Sequence, residues 1–252
     1  MQRAIVAALA VGIGLIGART AHPEAEWRPL GRGVQHRPLD GDGLAGHAFR
    51  FHPADVELRV VAAGPGERAR VAALAPPAGD AIATNASFFD EAGHAMGLAI
   101  DRGRSIGGRR IGSWAGFVIQ RGQPRIASAT ALGDGAGAEL LVQGFPRLVV
   151  GGNVPRLKPQ RAQRTVVCVA GERIVLLVAT NRADATQLAR FLAAPAAAGG
   201  LGCRDALNLD GGGSTQLAAR WGELEARFDG AWAVPNALVV TPRASTAGAA
   251  PR

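Results

Sequence analysis

A three-glycine turn near the C-terminal end of the chain carries the residue types best suited to chemistry. The stretch reads DALNLDGGGSTQ from residue 205 to residue 216. It offers an amide and a carboxylate before the glycines and two hydroxyls after them: Asn208, Asp210, Gly211, Gly212, Gly213, Ser214 and Thr215. Glycines lack a Cβ, so their backbone amides can approach an anion closely. The stretch therefore predicts a site that binds and cleaves a phosphorylated or polyhydroxylated compound.

Two well-known glycine patterns do not fit this turn. A P-loop continues with Gly-Lys-Ser/Thr, which is absent here, and a nucleophile elbow has a second glycine two residues after its serine. Ser214 also has no histidine base that a sequence pattern would supply. We therefore predict that Ser214 and Thr215 donate hydrogen bonds to phosphate or begin the next element, and that Ser214 is not a nucleophile.

Further segments along the chain share the features of strand ends and glycine turns. In order, they are AIATNASFFD (81–90), GLAI (97–100) with Gly103, GFPRL (144–148), RTVVC (164–168) and VPNAL (234–238). Together with the glycine turn they resemble the phosphodiester glycosidase family over roughly His47 to Val240. The resemblance implies hydrolysis of a sugar C1–O–P linkage, or of a related glycosidic bond, in an exported protein. The sugar and its aglycone stay open.

Two aspartates are the candidate catalytic groups. Glycosidases of the usual kind use one carboxyl group as an acid and another as base or nucleophile. Asp210, at a strand end beside glycines, is the first choice; the alternative is a turn cap. Asp90 is its possible partner, and the alternative is a solvated turn residue beside Glu91. Because phosphate is already a good leaving group, holding its charge should matter more than acid assistance.

The candidate binding residues lie at other strand ends. Asn85 and Asn208 would hold sugar hydroxyls or position a water molecule, unless they only form turns. Arg164 would clamp two phosphate oxygens with its planar guanidinium group, and its alternative is a surface arginine. Arg147 is a weaker candidate for that role. Asn236 would line the site or satisfy a turn.

The amides of the three glycines are predicted to form an anion nest, with at least one positive φ angle. A divalent cation bound by Asp210, Asp90 and an asparagine is possible on this pattern, because oxygen ligands have no spacing code outside named loops. None of the five histidines has the i, i+4 spacing of a helical zinc site. The metal requirement is therefore open.

The composition narrows the function classes. The net charge of +8 comes almost wholly from scattered arginines without interleaved aromatic residues, which argues against a nucleic-acid partner. Aromatic residues make up 5% of the chain. A non-catalytic carbohydrate-binding or envelope-assembly protein would use aromatic platforms, so this composition favours the enzyme.

Residues 1–21 have the pattern of a signal peptide, with a retained N-terminal anchor as the alternative. No other run is long enough to span a membrane. We expect a periplasmic or secreted protein that acts on a sugar-phosphate or polysaccharide of the envelope or on an exopolysaccharide. In that oxidising setting Cys168 and Cys203 are predicted to form a disulfide, and two buried thiols are the alternative.

The elements that position these residues are mostly short strands between glycine turns, which predicts a single α+β domain with mostly antiparallel mixed sheets and a few helices. The clearest helix spans Asp184 to Ala193, and a shorter one lies between Glu67 and Leu74. We expect an irregular lead-in at 22–46, a catalytic domain at 47–243 and a disordered tail at 244–252.

Overall fold

The computed structural model describes residues 27–41 and 43–243. Within them the chain forms three antiparallel sheets and three short helices, which confirms the predicted α+β class. The predicted signal peptide and C-terminal tail lie outside the described residues. No helix in the described ranges has the length and apolar character needed to cross a membrane.

The first sheet has seven strands. In spatial order, and numbered along the chain, they are β1 (Arg28–Gly31), β2 (Val34–Gly41), β3 (Leu44–Phe51), β13 (Arg173–Asp184), β12 (Arg161–Ala170), β14 (Asp205–Asn208) and β11 (Arg147–Val149).

The second and third sheets have five strands each. The second contains β7 (Arg104–Gly107), β6 (Ala99–Asp101), β10 (Leu140–Gly144), β8 (Ala115–Gln120) and β9 (Gln123–Ser128). The third contains β16 (Leu224–Phe228), β15 (Leu217–Trp221), β5 (Ala81–Asn85), β17 (Asn236–Pro242) and β4 (Val56–Ala62).

One face of every sheet contributes to a shared central core, and the other face packs against a helix. Successive side chains of a strand point to opposite faces. In β12, Val167 therefore points into the central core, whereas Val166 packs beneath α3 (Ala185–Ala193). The outer face of the third sheet packs with α1 (Val71–Leu74), and that of the second with α2 (Ala129–Leu132).

The start of the described chain differs from the expected irregular lead-in. Residues 28–41 form β1 and β2, joined by a turn with positive φ at Arg32 and Gly33. Val34, His36 and Leu39 are buried in β2. This segment was missed because its inward positions include a histidine, which weakens the alternating hydrophobic signal of a strand.

Two further differences concern element boundaries. The hairpin of β15 and β16 was not predicted from the sequence, since its strands mix alanine with charged residues. The helix after Glu67 is limited to α1. By contrast, α3 begins where predicted, because Asp184 caps it by accepting hydrogen bonds from the amides of Thr186 and Gln187, both at 3.0 Å.

A disulfide joins Cys168 of β12 to Cys203, which lies just before β14. The Cα atoms are 5.8 Å apart, and both residues are buried in the cluster beneath α3. The bond confirms the predicted pairing. It attaches the strand that leads into the glycine turn to its neighbour in the first sheet.

Removing this disulfide should lower the free energy of unfolding by about 2–4 kcal/mol, because the bond closes a long loop in the unfolded chain. The measurement is chemical denaturation of the Cys168→Ala/Cys203→Ala protein and of each single variant. All three should be similarly destabilised, since each lacks the bond. Two free thiols in oxidised wild-type protein, detected by mass spectrometry, would contradict the pairing.

Candidate active site

The side-chain amide of Asn85 connects the two sheets that flank the glycine turn. Its Nδ2 donates to the backbone oxygen of Asp210 at 2.6 Å. Its Oδ1 accepts from the Thr165 hydroxyl at 2.6 Å and from the Gln216 amide at 3.0 Å. Asn85 therefore ties the end of β5 to β12 and to both ends of the turn.

This role differs from the substrate contact expected for Asn85. The residue is 0% exposed, and three hydrogen bonds within the protein occupy its amide group. Breaking such buried bonds to bind a sugar would be costly. Asn85 is thus a positioning residue that holds the turn in place.

Asp210 has features of both predicted roles, the turn cap and the catalytic carboxylate. Its backbone amide donates to the oxygen of Ala86 at 3.1 Å, and its carboxylate accepts from the Gly211 amide at 2.8 Å, as a turn cap would. Partial burial nevertheless raises the pKa of this carboxyl group to about 6. The Gly211 amide and the nearby Ser214 hydroxyl oppose that rise, although the hydroxyl makes no hydrogen bond of normal geometry.

The glycine turn leaves two of its amides without a protein acceptor. Gly212 has a φ of +59°, which confirms the expected positive angle, and residues 212–214 form a single 3₁₀ turn. Within the described part of the chain, the amides of Gly212 and Gly213 donate to no group. The Gly211 amide is used by Asp210, so the predicted nest is reduced to two donors.

Trp232 covers one side of the turn and was not singled out from the sequence. A Cβ placed on Gly213 would lie 2.9 Å from Cδ2 of the indole ring, so glycine is required there. The side chain of Gln216 holds the loop by donating to the Trp232 oxygen at 2.7 Å. The tryptophan is still 58% exposed and lies beside the turn. No sequence pattern indicates that a tryptophan is exposed beside a turn in this way.

Arg164 is buried rather than at the surface. It is 4% exposed, and its Cδ is 4.0 Å from the position of a Cβ on Gly211. Its Nη1 donates to Asn208 Oδ1 at 3.4 Å, and its Nη2 donates to Gln160 at 3.1–3.2 Å. Among the described residues, its Nε has no hydrogen-bond partner. Burial lowers the pKa of this guanidinium group, and the charge of Asp184 partly opposes that effect.

Arg147 offers a contrast with Arg164. It forms an ion pair with Asp205, so its charge is compensated within the protein. Arg164 makes no ion pair with any described residue. Of the two arginines proposed for an anion, Arg164 is the one whose charge is left for a ligand.

Asn208 and Asn236 hold the surrounding loops. The side-chain Nδ2 of Asn208 donates to the backbone oxygen of Phe145 at 3.1 Å. The backbone amide of Asn208 donates to the backbone oxygen of Pro146 at 3.0 Å. Asn236 Oδ1 accepts from the Ser87 amide at 2.9 Å. Both asparagines are buried and hold loops, which fits the turn-forming alternative, and their contact with substrate stays a prediction.

The hydroxyls after the glycines are also buried. Neither Ser214 Oγ nor Thr215 Oγ1 has a hydrogen-bond partner within the described residues. Ser214 acts to lower the pKa of the Asp210 carboxyl group and so opposes the effect of burial. Direct donation from these hydroxyls to a phosphate remains a prediction.

Asp90 occupies a different setting from Asp210. Its half-exposed carboxylate accepts from the His94 amide at 2.8 Å and lies 3.4 Å from the His94 ring. The backbone hydrogen bond from His94 is the main reason why its pKa is lowered. Within the described residues, no hydrogen bond or ion pair joins Asp90 to Asp210 or Arg164. This geometry matches the solvated turn residue and not a second catalytic carboxylate.

A cavity of about 490 Å³ opens beside Arg164. The guanidinium group lines it together with Trp114, Phe145, Val150 and Leu157. The size is within the range of small-molecule sites. No cluster of three or more His, Cys, Asp or Glu side chains occurs in the ranges that the structure describes. A divalent cation therefore stays an untested prediction.

Comparisons with known proteins show what this chain is similar to. A model of the phosphodiester glycosidase family matches residues 78–241. The zebrafish N-acetylglucosamine-1-phosphodiester α-N-acetylglucosaminidase catalytic domain, auto-inhibited by its pro-peptide, aligns at 19% identity with a TM-score of 0.64, over 83% of this chain and 82% of that one. No match was found among curated proteins.

Two bacterial structures share the fold more distantly. A Synechocystis protein aligns at 18% identity with a TM-score of 0.51, over 83% of this chain and 62% of that one. A Burkholderia pseudomallei protein described as exported aligns at 14% identity with a TM-score of 0.51, over 78% and 73%. At these identities the likeness shows a common fold.

Replacing Gly212 with alanine should weaken the binding of phosphate or sulfate. The positive φ is unfavourable for alanine by about 1–2 kcal/mol, so the turn should shift its free amides. Gly171→Ala is the matched control, because Gly171 has a φ of +62° and, like Gly212, has no atom within 4 Å of an added Cβ. Calorimetric titration with sulfate should show weaker binding only for Gly212→Ala. Equal affinity in both variants would show that the turn is only a bend.

Proposed function

Because this chain belongs to the phosphodiester glycosidase family, we propose that it hydrolyses a sugar C1–O–P linkage at the glycine turn. Members of this family are hydrolases. The observation that carries the proposal is the junction of a carboxylate of raised pKa, a buried arginine without an ion pair and two free amides at one turn. Asp210 is the proposed catalytic residue, and Arg164 is the proposed phosphate ligand.

The chemistry needs a single carboxylate. With a pKa of about 6, Asp210 is mostly ionised at neutral pH and still basic enough to accept a proton from an attacking water molecule. The water oxygen bonds to C1 of the sugar, the C1–O bond breaks, and the phosphate leaves with the bridging oxygen. A phosphate monoester is stable as an anion, so no second carboxyl group is needed to protonate it.

Arg164 would supply the charge that stabilises this leaving group. A buried cation without an ion-pair partner is unfavourable, and a bound phosphate would offset that cost. The unpartnered Nε adds a donor for a phosphate oxygen. The free amides of Gly212 and Gly213 would complete the set of donors on the other side of Asp210.

The cellular setting is part of the proposal. The signal-peptide pattern at residues 1–21 favours export to the periplasm or the medium. There, the substrate would be a sugar-phosphate diester of the envelope or of an exopolysaccharide. One of the structures that share the fold is described as an exported protein, which supports this setting.

A carbohydrate-binding protein without catalysis is the second candidate, and Trp232 favours it. An exposed indole face is a common platform for a sugar ring. The same tryptophan would also hold the sugar of a substrate during hydrolysis. Turnover by wild-type protein, and its loss on changing Asp210, separates the two functions.

Asp210→Asn should lower kcat on a glycosyl phosphodiester by at least about two orders of magnitude, because the proton acceptor is lost. In the wild type, kcat/KM should fall as the pH drops through about 6, where the carboxylate becomes protonated. The measurement is the release of phosphate monoester between pH 5 and 8. Near-normal turnover by folded Asp210→Asn would remove Asp210 from the mechanism.

Protein stability provides the control for this variant. The folded-state pKa of Asp210 is raised, so the ionised carboxylate costs stability above pH 6 and that cost disappears at acid pH. Asp210→Asn should therefore be more stable than wild type at pH 8.

His36 has the opposite effect on the pH dependence of stability. Burial lowers its pKa to about 4, so the fold weakens as the pH falls below about 6.5. The folding of wild type and of Asp210→Asn should be checked by circular dichroism at each pH at which a rate is measured.

Arg164→Lys should raise KM for a phosphodiester and leave a neutral glycoside of the same sugar little changed. Lysine cannot present two parallel donors to two phosphate oxygens. Arg147→Lys is the control, because Arg147 is paired with Asp205. Steady-state kinetics on both substrates measures the difference. Equal losses on the two substrates would assign Arg164 a structural role only.

A further inference from the structure

We infer that the cavity beside Arg164 binds the group on the far side of the phosphate, and that this group is a hydrocarbon such as a prenyl chain. The inference rests on the proposed function for the position of the phosphate. It adds the class of substrate, a glycosyl phosphodiester of an apolar alcohol. Its basis is the contrast between the cations Arg164, Arg156 and Lys158 and the mainly apolar side chains of the other walls.

The walls of the cavity are mainly apolar and partly exposed. Phe145 and Val150 are 53% and 38% exposed, and both line the opening together with Leu157. Trp114 and Ala129 line it as well. Exposed apolar surface of this kind in a concave site is typical of ligand binding. A hydrocarbon chain would remove it from water.

Two of the polar side chains that line the cavity already accept hydrogen bonds from the protein. The Ser128 hydroxyl accepts from the Ala131 amide at 3.4 Å as the cap of α2, and Gln160 accepts from Arg164. A hydrophilic aglycone such as a sugar would place hydroxyls against the apolar side chains of this cavity, which is unfavourable. The lining therefore favours a hydrocarbon over a second sugar.

The charged end of the cavity is Arg164. The guanidinium is nine-tenths or more buried, has an Nε without a partner and lies against the glycine turn. Arg156 and Lys158 line the same cavity, are exposed, and make no ion pair within the described residues. These cations would attract the anionic part of the ligand. The site thus matches a phosphate joined to an apolar chain.

The test compares three phosphate monoesters by calorimetric titration of the intact protein: geranyl phosphate below its micelle concentration, methyl phosphate and glucose 6-phosphate. Geranyl phosphate should bind at least about tenfold more tightly than methyl phosphate, because burial of each methylene is favourable. Glucose 6-phosphate should bind no better than methyl phosphate. Equal affinities for all three, or a preference for glucose 6-phosphate, would overturn the inference.

Substitutions in the wall locate the binding. Phe145→Ala and Val150→Asn should weaken geranyl phosphate by about fivefold or more and leave methyl phosphate unchanged, because they remove apolar contact without adding charge. Met96→Asn is the control, since Met96 is 37% exposed and does not line the cavity. Loss of geranyl affinity in the control alone, or in none of the variants, would place the binding elsewhere and refute the inference.

The two proposals can fail separately. If geranyl phosphate binds as expected and neither geranyl nor methyl glycosyl phosphodiesters are cleaved, the cavity assignment stands and the proposed hydrolysis is wrong. If both diesters are cleaved with the same KM and geranyl phosphate binds no better than methyl phosphate, hydrolysis stands and the cavity assignment is wrong.

Discussion

The hydrogen bonds of the Asn85 amide are the constraint on which the site depends. They connect the end of β5 in the third sheet to Thr165 of β12 in the first sheet, and they attach both Asp210 and Gln216. A glycine-rich segment has a large conformational entropy when free. Anchoring it at both ends to one buried amide makes a single conformation of the turn possible, and so gives Asp210 a defined position.

Burial then determines the electrostatics of the site. Asp210 and Arg164 lie beside the same turn, but no ion pair joins them, and each is buried at a cost to its charged form. Burial raises the pKa of the acid and lowers that of the guanidinium group. Arg147, by contrast, forms an ion pair with Asp205. The separation preserves a basic carboxylate and an available cation.

The surrounding fold supports this arrangement through its strand ends. The turn follows β14, whose neighbour β12 carries both Thr165 and Arg164. The disulfide from Cys168 of β12 to Cys203 holds the start of β14 against the sheet. Asn208 attaches the loop of Phe145 and Pro146, which forms one wall of the cavity. The chemical groups and the apolar cavity are therefore held by the same few strands.

The sequence predicted the disulfide between Cys168 and Cys203, and by itself it determined the fold class and the family. These depend on local patterns: alternation within strands, the residue types around Gly211–Gly213, and the capping of α3 by Asp184. Such patterns can be recognised because neighbouring residues produce them. The β2 strand escaped prediction because His36 occupies one of its inward positions.

Only the tertiary structure decided which polar residues are free to act. In the sequence, Asn85, Asn208 and Asn236 are polar residues of a type that can bind a substrate. In the structure, each is buried and hydrogen-bonded to a distant loop or strand. Asp90 and Asp210 are equivalent as residue types, and they differ because one is solvated beside His94 and the other is buried at the turn. Burial and hydrogen-bond partners come from contacts between residues far apart in the chain, so no local pattern contains them.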